Sequence, residues 1–204
     1  MRWARRDKSD GEAMSEQMDP RTVRSDRVLA AAVVELAARQ PVSRIRVADL
    51  VAAAGVTRPT FYNRYRTPLD LLLTVLDADL AVVYQQEELW QATADLTPDE
   101  ALRRATGAVV DHVIRYAEVY RQALGDPADR GVYDALVRHF TEYSLAFMAR
   151  AATSPGVPAA NRDLMAQFVS HGFVGVISAW LAAGGLTRDD LVDAAVACAP
   201  AWWR

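Results

Sequence analysis

The chain has 204 residues, 51% of them hydrophobic and 24% charged, with a formal net charge of −3. That is enough apolar material to bury a core in one ordinary domain or two small ones, and it excludes a disordered chain. A single cysteine, Cys198, excludes an internal disulfide, and no uninterrupted apolar run reaches the ~18 residues of a membrane span, so the expectation is a cytoplasmic protein with no membrane partner.

Residues 1–20 mix charge, Ser, Met and Gly without periodicity and read as a flexible arm, in which Met14 and Met18 are alternative translation starts. From Arg21 the apolar spacing turns helical through Val28, Ala31, Ala32, Leu36 and Ala38, until Gln40-Pro41 ends the element. Val47, Leu50, Val51 and Ala54 mark a short second helix stopped by Gly55, and Thr57 caps a third in which Phe61 and Tyr65 share a face. Thr67-Pro68-Leu69-Asp70 is a capping box with proline at the first helical position, and it opens a long apolar helix to about Trp90. Thr97-Pro98-Asp99-Glu100 repeats the pattern and predicts a helix to about Leu124, broken at Gly125-Asp126-Pro127. Further helices are expected from about Asp129 to Ala151, from Asn161 to Ala183, and after the cap at Thr187. No segment alternates, so the fold class is all-α, with about nine helices.

Charge is unevenly distributed along this series. Between Arg21 and Arg66 nine arginines face three acids, whereas from Leu71 to the end ten arginines face seventeen acids. A basic module on an acidic body suits a polyanion such as DNA, although a solvated basic face has the same composition.

The stretch GVTRPTFYNRYR, Gly55 to Arg66, sits inside the basic module. Two short helices joined by a glycine turn are the helix-turn-helix arrangement, whose last helix enters a DNA major groove. With Phe61 and Tyr65 facing inward, Arg58, Thr60, Tyr62, Asn63 and Arg64 project elsewhere. Arginine suits guanine, asparagine suits adenine, threonine meets a thymine methyl, and tyrosine donates to phosphate.

RVADLVAAAGVTRPTFYNRYRTPLDLL, preceded by VLAAAVVELAAR, resembles the N-terminal domain of TetR-family transcriptional regulators over about fifty residues. The resemblance implies a helix-turn-helix DNA-binding domain over residues 21–66 and a helical ligand-binding and dimerisation domain over 67–204. It implies contacts to double-stranded DNA from Thr57, Arg58, Pro59, Thr60, Tyr62, Asn63 and Arg64. Arg46 stands where a small capping residue is usual, and Pro68 where a phosphate-binding lysine is common; Arg46 and Arg66 are expected to replace some of that charge. Arg2, Arg5, Arg6 and Lys8 of the arm are candidates for the minor groove. The function so implied is a ligand-responsive repressor that binds a palindromic operator as a homodimer and is released by a small apolar or aromatic effector.

In the body, the segment Asn161–Ala183 places small residues beside large apolar ones. Leu164, Phe168, Gly172, Gly175, Val176, Ala179 and Trp180 are the expected dimer interface, assisted by Leu191 to Ala199. Tyr84, Tyr116, Tyr120, Tyr143, Phe147 and Phe173 are candidates to line the effector pocket.

Two other readings compete. Asp189, Asp190 and Asp193 have the DDxxD spacing of magnesium-dependent helical enzymes, but they follow a capping threonine and no second acidic motif accompanies them. A ligand-sequestering or scaffold dimer with a vestigial DNA head is the other. His112, His139 and His171 are too scattered to make a metal pattern, and no metal, cofactor or catalytic residue is expected.

Overall fold

Apolar stripes at helical spacing give nine α-helices among the described residues. The computed structural model describes residues 20–93, 96–150 and 160–201, and the side chains of 22–86, 96–149 and 160–201. The arm residues Arg2, Arg5, Arg6 and Lys8, Met14 and Met18, and the Trp90 side chain lie outside them.

The first helix, α1 (Pro20–Ala37), buries Leu29, Ala32, Val33 and Ala37. After Pro41 a 3-10 turn, Val42–Arg44, leads into α2 (Val47–Ala54), which Gly55 ends in the left-handed conformation at φ 65°. A residue with a Cβ is strained there, so the sharp turn into α3 (Arg58–Tyr62) depends on this glycine. The expected capping box then forms at α4 (Pro68–Thr93): the Thr67 amide donates to Asp70 Oδ2 at 3.0 Å and the Asp70 amide to Thr67 Oγ1 at 3.1 Å. Leu71, Leu72, Leu76 and Leu80 of α4 are buried, the first two in one cluster with Leu29, Val33 and Phe61. The same cluster continues to Val113, Leu136, Ile177 and Leu191. The apolar core therefore does not divide where the sequence suggests a domain boundary.

The helix expected from Thr97 to Leu124 is two helices. α5 (Pro98–Arg115) ends and α6 (Ala117–Leu124) begins at Tyr116, whose φ of −108° and ψ of 24° leave the helical region. No glycine or proline marks this break. It brings Tyr120 back over α5, where its hydroxyl lies 2.7 Å from His112 Nε2, while His112 Nδ1 lies 2.6 Å from Asp79 Oδ2. A carboxylate only accepts, so Nδ1 carries the proton and Nε2 accepts from Tyr120.

His112 is fully buried, and burial holds its pKa below the usual value against the opposing pull of Asp79. On acidification the unfolded chain takes up this proton before the folded one, so stability falls as the pH drops below about 6.5. We expect the free energy of unfolding to fall more steeply between about pH 7 and pH 5 in the wild type than in His112→Gln. Equal slopes in denaturant titrations contradict this assignment.

The 3-10 turn Pro127–Asp129 precedes α7 (Arg130–Arg150). Asp129, with no exposed surface, accepts from the amides of Val42 at 2.6 Å and Ser43 at 2.9 Å, and Arg44 pairs with Asp126 at 3.2 Å. The turn before α2 is thereby tied to the start of α7 by a buried carboxylate. α7 packs along α8 (Arg162–Ala183), and α9 (Arg188–Cys198) closes against α5 and α8.

α8 is, among the described residues, the one helix long and apolar enough to cross a membrane, which the search for uninterrupted runs does not register because Ser, His and Gly punctuate it. It buries Ala166, Val169, Val174, Ile177 and Leu181 against the rest of the chain.

Candidate nucleic-acid interface and apolar cavity

α3 is held from beneath. Phe61 has no exposed surface, its ring lies 5.9 Å from that of half-buried Tyr65, and Val56 packs on the same core. Thr57 caps the helix, accepting from the Thr60 amide at 3.4 Å, and its hydroxyl meets that of Thr60 at 2.9 Å. The Asn63 and Tyr65 amides extend the helical turn by bonding back to Pro59 and Phe61. The outer side carries Arg58, Pro59, Tyr62 and Asn63, all exposed, with Thr60 at its margin. Tyr62 is 58% exposed.

The arginines divide into two groups. Arg58 and Arg66 pair with no acid among the described residues. Arg64 instead pairs with Asp26 of α1 at 2.9 Å, and Arg46 holds Asp49 through two nitrogens at 2.7 and 3.0 Å. Both arginines expected to contribute charge toward phosphate thus have an acidic partner within the chain. Arg46 is occupied at its own helix start, where Asp49 already complements the helix dipole, and Arg64 ties the end of the recognition turn to α1. Asp26 was missed by sequence reasoning; its only signal is being one of three acids in a basic segment.

In the body, an apolar cavity lies among α4, α5, α7, α8 and α9. Tyr84, Tyr143 and Phe173 line it as expected, together with Phe140, Val176, Ile177, Leu191 and Ala195. α5 supplies Leu102, Ala105, Thr106, Val109 and Val110, a stripe at helical spacing that the sequence displays but that a search for aromatics passes over. Tyr116, Tyr120 and Phe147 are not in the wall. Tyr120 is committed to His112, the Tyr116 ring lies 5.0 Å from the His112 ring, and Phe147 packs against Val169 and Ala199.

The α8 face expected at a dimer interface also divides. Leu164 (71%), Phe168 (83%), Gly172, Gly175 and Ala179 are exposed in one stripe, and among the described residues no other part of the chain comes within 4 Å of a Cβ added at either glycine. Val176 and Trp180 do not belong to that stripe. Val176 faces the cavity, and the half-buried Trp180 donates from its indole to the Thr187 carbonyl at 2.9 Å. In α9, Leu191, Val192, Ala195 and Ala199 are buried within their own chain, leaving Ala194, Ala197 and Cys198 exposed.

The carboxylates of the DDxxD pattern are each engaged. Asp190 completes the capping box and is held below the usual carboxylate range by the Thr187 amide and hydroxyl; Asp189 pairs with Arg188 at 3.3 Å, and Asp193 with Arg103 at 2.6 Å. No group of three candidate metal ligands occurs among the described residues.

No protein-family model and no curated protein sequence matches the chain. Solved structures do. A TetR-family transcriptional regulator from Syntrophomonas wolfei superposes with a TM-score of 0.63 at 12% identity, covering 85% of this chain and 91% of that one. The fatty acid degradation regulator FadR from Bacillus halodurans gives 0.61 at 14%, covering 85% and 93%, and a TetR regulator from Streptococcus agalactiae gives 0.58 at 19%, covering 88% and 95%. The all-α fold is the one these transcriptional regulators share.

Proposed function

We propose that the protein is a cytoplasmic, ligand-responsive DNA-binding regulator, a repressor that grips a palindromic operator as a homodimer and releases it when a small effector enters the cavity. The observation that carries this reading is α3: a short capped helix anchored by Phe61, with Arg58, Pro59, Tyr62 and Asn63 exposed and Arg58 free of any acid among the described residues. Arg58 and Asn63 are the base-reading residues, and Tyr62 and Arg66 hold phosphate. Arg64, joined to Asp26, sets the pitch of the recognition turn as well as adding positive charge.

The homodimer rests on the exposed stripe Leu164, Phe168, Gly172, Gly175 and Ala179. Small residues let two helices approach closely, and a two-fold axis lets the same stripe meet itself. Two recognition helices then match two half-sites.

α4 carries the effector signal. Tyr84 stands in the cavity wall, Asp79 and Asp77 on the same helix bind His112 and His139 of α5 and α7, and Leu71 and Leu72 pack on α1. An effector that fits the cavity better in one setting of α4 than in the other shifts the spacing of the two heads.

Arg58→Ala should weaken specific binding about ten- to hundredfold and relax the preference at one base, while Arg64→Ala weakens specific and nonspecific binding alike. Gel-shift titrations on operator and scrambled DNA separate the two. Equal loss on every sequence for Arg58→Ala removes it from the base-reading set.

A further inference from the structure

Thirteen described residues line the cavity, and among them none is charged and only Tyr84, Thr106 and Tyr143 bring a side-chain oxygen to it. Among these, the Tyr84 hydroxyl is buried and makes no hydrogen bond. Its ring is fixed by stacking on Tyr143, with centroids 5.0 Å apart and planes within 18°. A buried hydroxyl without a partner is unfavourable, and buried polar groups are nearly always satisfied. Here one is held rigidly in the wall of an otherwise apolar space.

We propose that the cavity selects a neutral, mainly apolar molecule bearing one hydrogen-bond-accepting oxygen, such as a ketone, and that Tyr84 is the residue that recognises this oxygen. The proposal deepens, and rests on, the reading of this cavity as the effector site. Burial, with Tyr143 and Glu142 adding to it, raises the Tyr84 pKa above its ordinary value, so the group remains a phenol and donates. An anion entering this space loses its hydration and gains no cation among the described wall residues, and Glu142 nearby adds repulsion; an ammonium likewise finds no carboxylate among them. Carboxylates, phosphates and amines are therefore excluded in favour of uncharged compounds. The apolar part of the ligand lies against Phe140, Phe173, Val109 and Leu191.

Four probes of one size separate the alternatives: acetophenone, ethylbenzene, benzoate and benzylammonium. Binding to the purified full chain, measured by calorimetry without DNA, should be about tenfold tighter for acetophenone than for ethylbenzene, with both charged probes weaker than either. Tyr84→Phe keeps the ring stack and should remove the advantage of acetophenone while leaving ethylbenzene unchanged. Benzoate or benzylammonium binding as tightly as acetophenone, a preference for acetophenone that survives Tyr84→Phe, or no binding of any probe overturns the proposal. Because DNA is absent from the assay, a protein that shows the expected pattern yet selects no DNA sequence contradicts the regulator reading alone.

Discussion

Asp129→Ala should lower the free energy of unfolding by about 3 kcal/mol, from the buried Val42 amide left without an acceptor and the loss of a second bond from the Ser43 amide to a charged carboxylate. Asp129 has no exposed surface, and its two oxygens take the amides of Val42 and Ser43, which lie more than eighty residues away. In the alanine variant Val42 keeps its burial and loses its partner. For a chain of this size the loss corresponds to roughly 6–12 °C in melting temperature. Asp129→Asn retains one acceptor oxygen and should lose about half as much. Denaturant titrations at one fixed protein concentration check both values, since the apparent stability of a protein that self-associates depends on concentration. A loss under about 0.5 kcal/mol for Asp129→Ala contradicts the assignment of this carboxylate as the tie between the turn before α2 and α7.

Phe168→Glu should convert the dimer to a monomer and lower operator affinity at least about a hundredfold, the advantage that joining two heads ordinarily gives. Phe168 is 83% exposed in the single chain, so the substitution leaves the fold intact, and circular dichroism should be unchanged. In a two-fold interface each copy brings its glutamate to the same patch, adding repulsion to the lost apolar contact. Sedimentation velocity at micromolar concentration reads the assembly, and gel shift reads the affinity. A variant that stays dimeric moves the interface away from the Leu164–Ala179 stripe.

Much of the fold is legible because its determinants are local. The capping boxes at Thr67, Thr97 and Thr187 each span four residues, and all three form. The turn at Gly55 and the inward face of α3, Phe61 with Tyr65, likewise follow from residues a few positions apart. What stays hidden is tertiary. The break at Tyr116 goes with a buried His112–Tyr120 contact, and neither residue marks a helix end. The pairs that occupy Arg64 and tie Val42 to Asp129 join residues far apart in sequence. The cavity was half legible: counting aromatics found Tyr84, Tyr143 and Phe173, and also picked Tyr116, Tyr120 and Phe147, whose rings are engaged elsewhere. On α8, helical spacing displays the exposed stripe, while the half-burial of Trp180 and its hydrogen bond to the Thr187 carbonyl depend on the turn that follows the helix.

The most direct test of whether α3 reads DNA as one of a symmetric pair is selection of bound sequences from a random double-stranded pool at near-physiological salt, with the mass of the protein measured on the same sample. A dimer that enriches an inverted repeat whose half-sites lie about one helical turn apart, or a multiple of it, is the expected result. A folded dimer that enriches no sequence contradicts it, and leaves a ligand-sequestering or scaffold protein whose DNA head no longer reads.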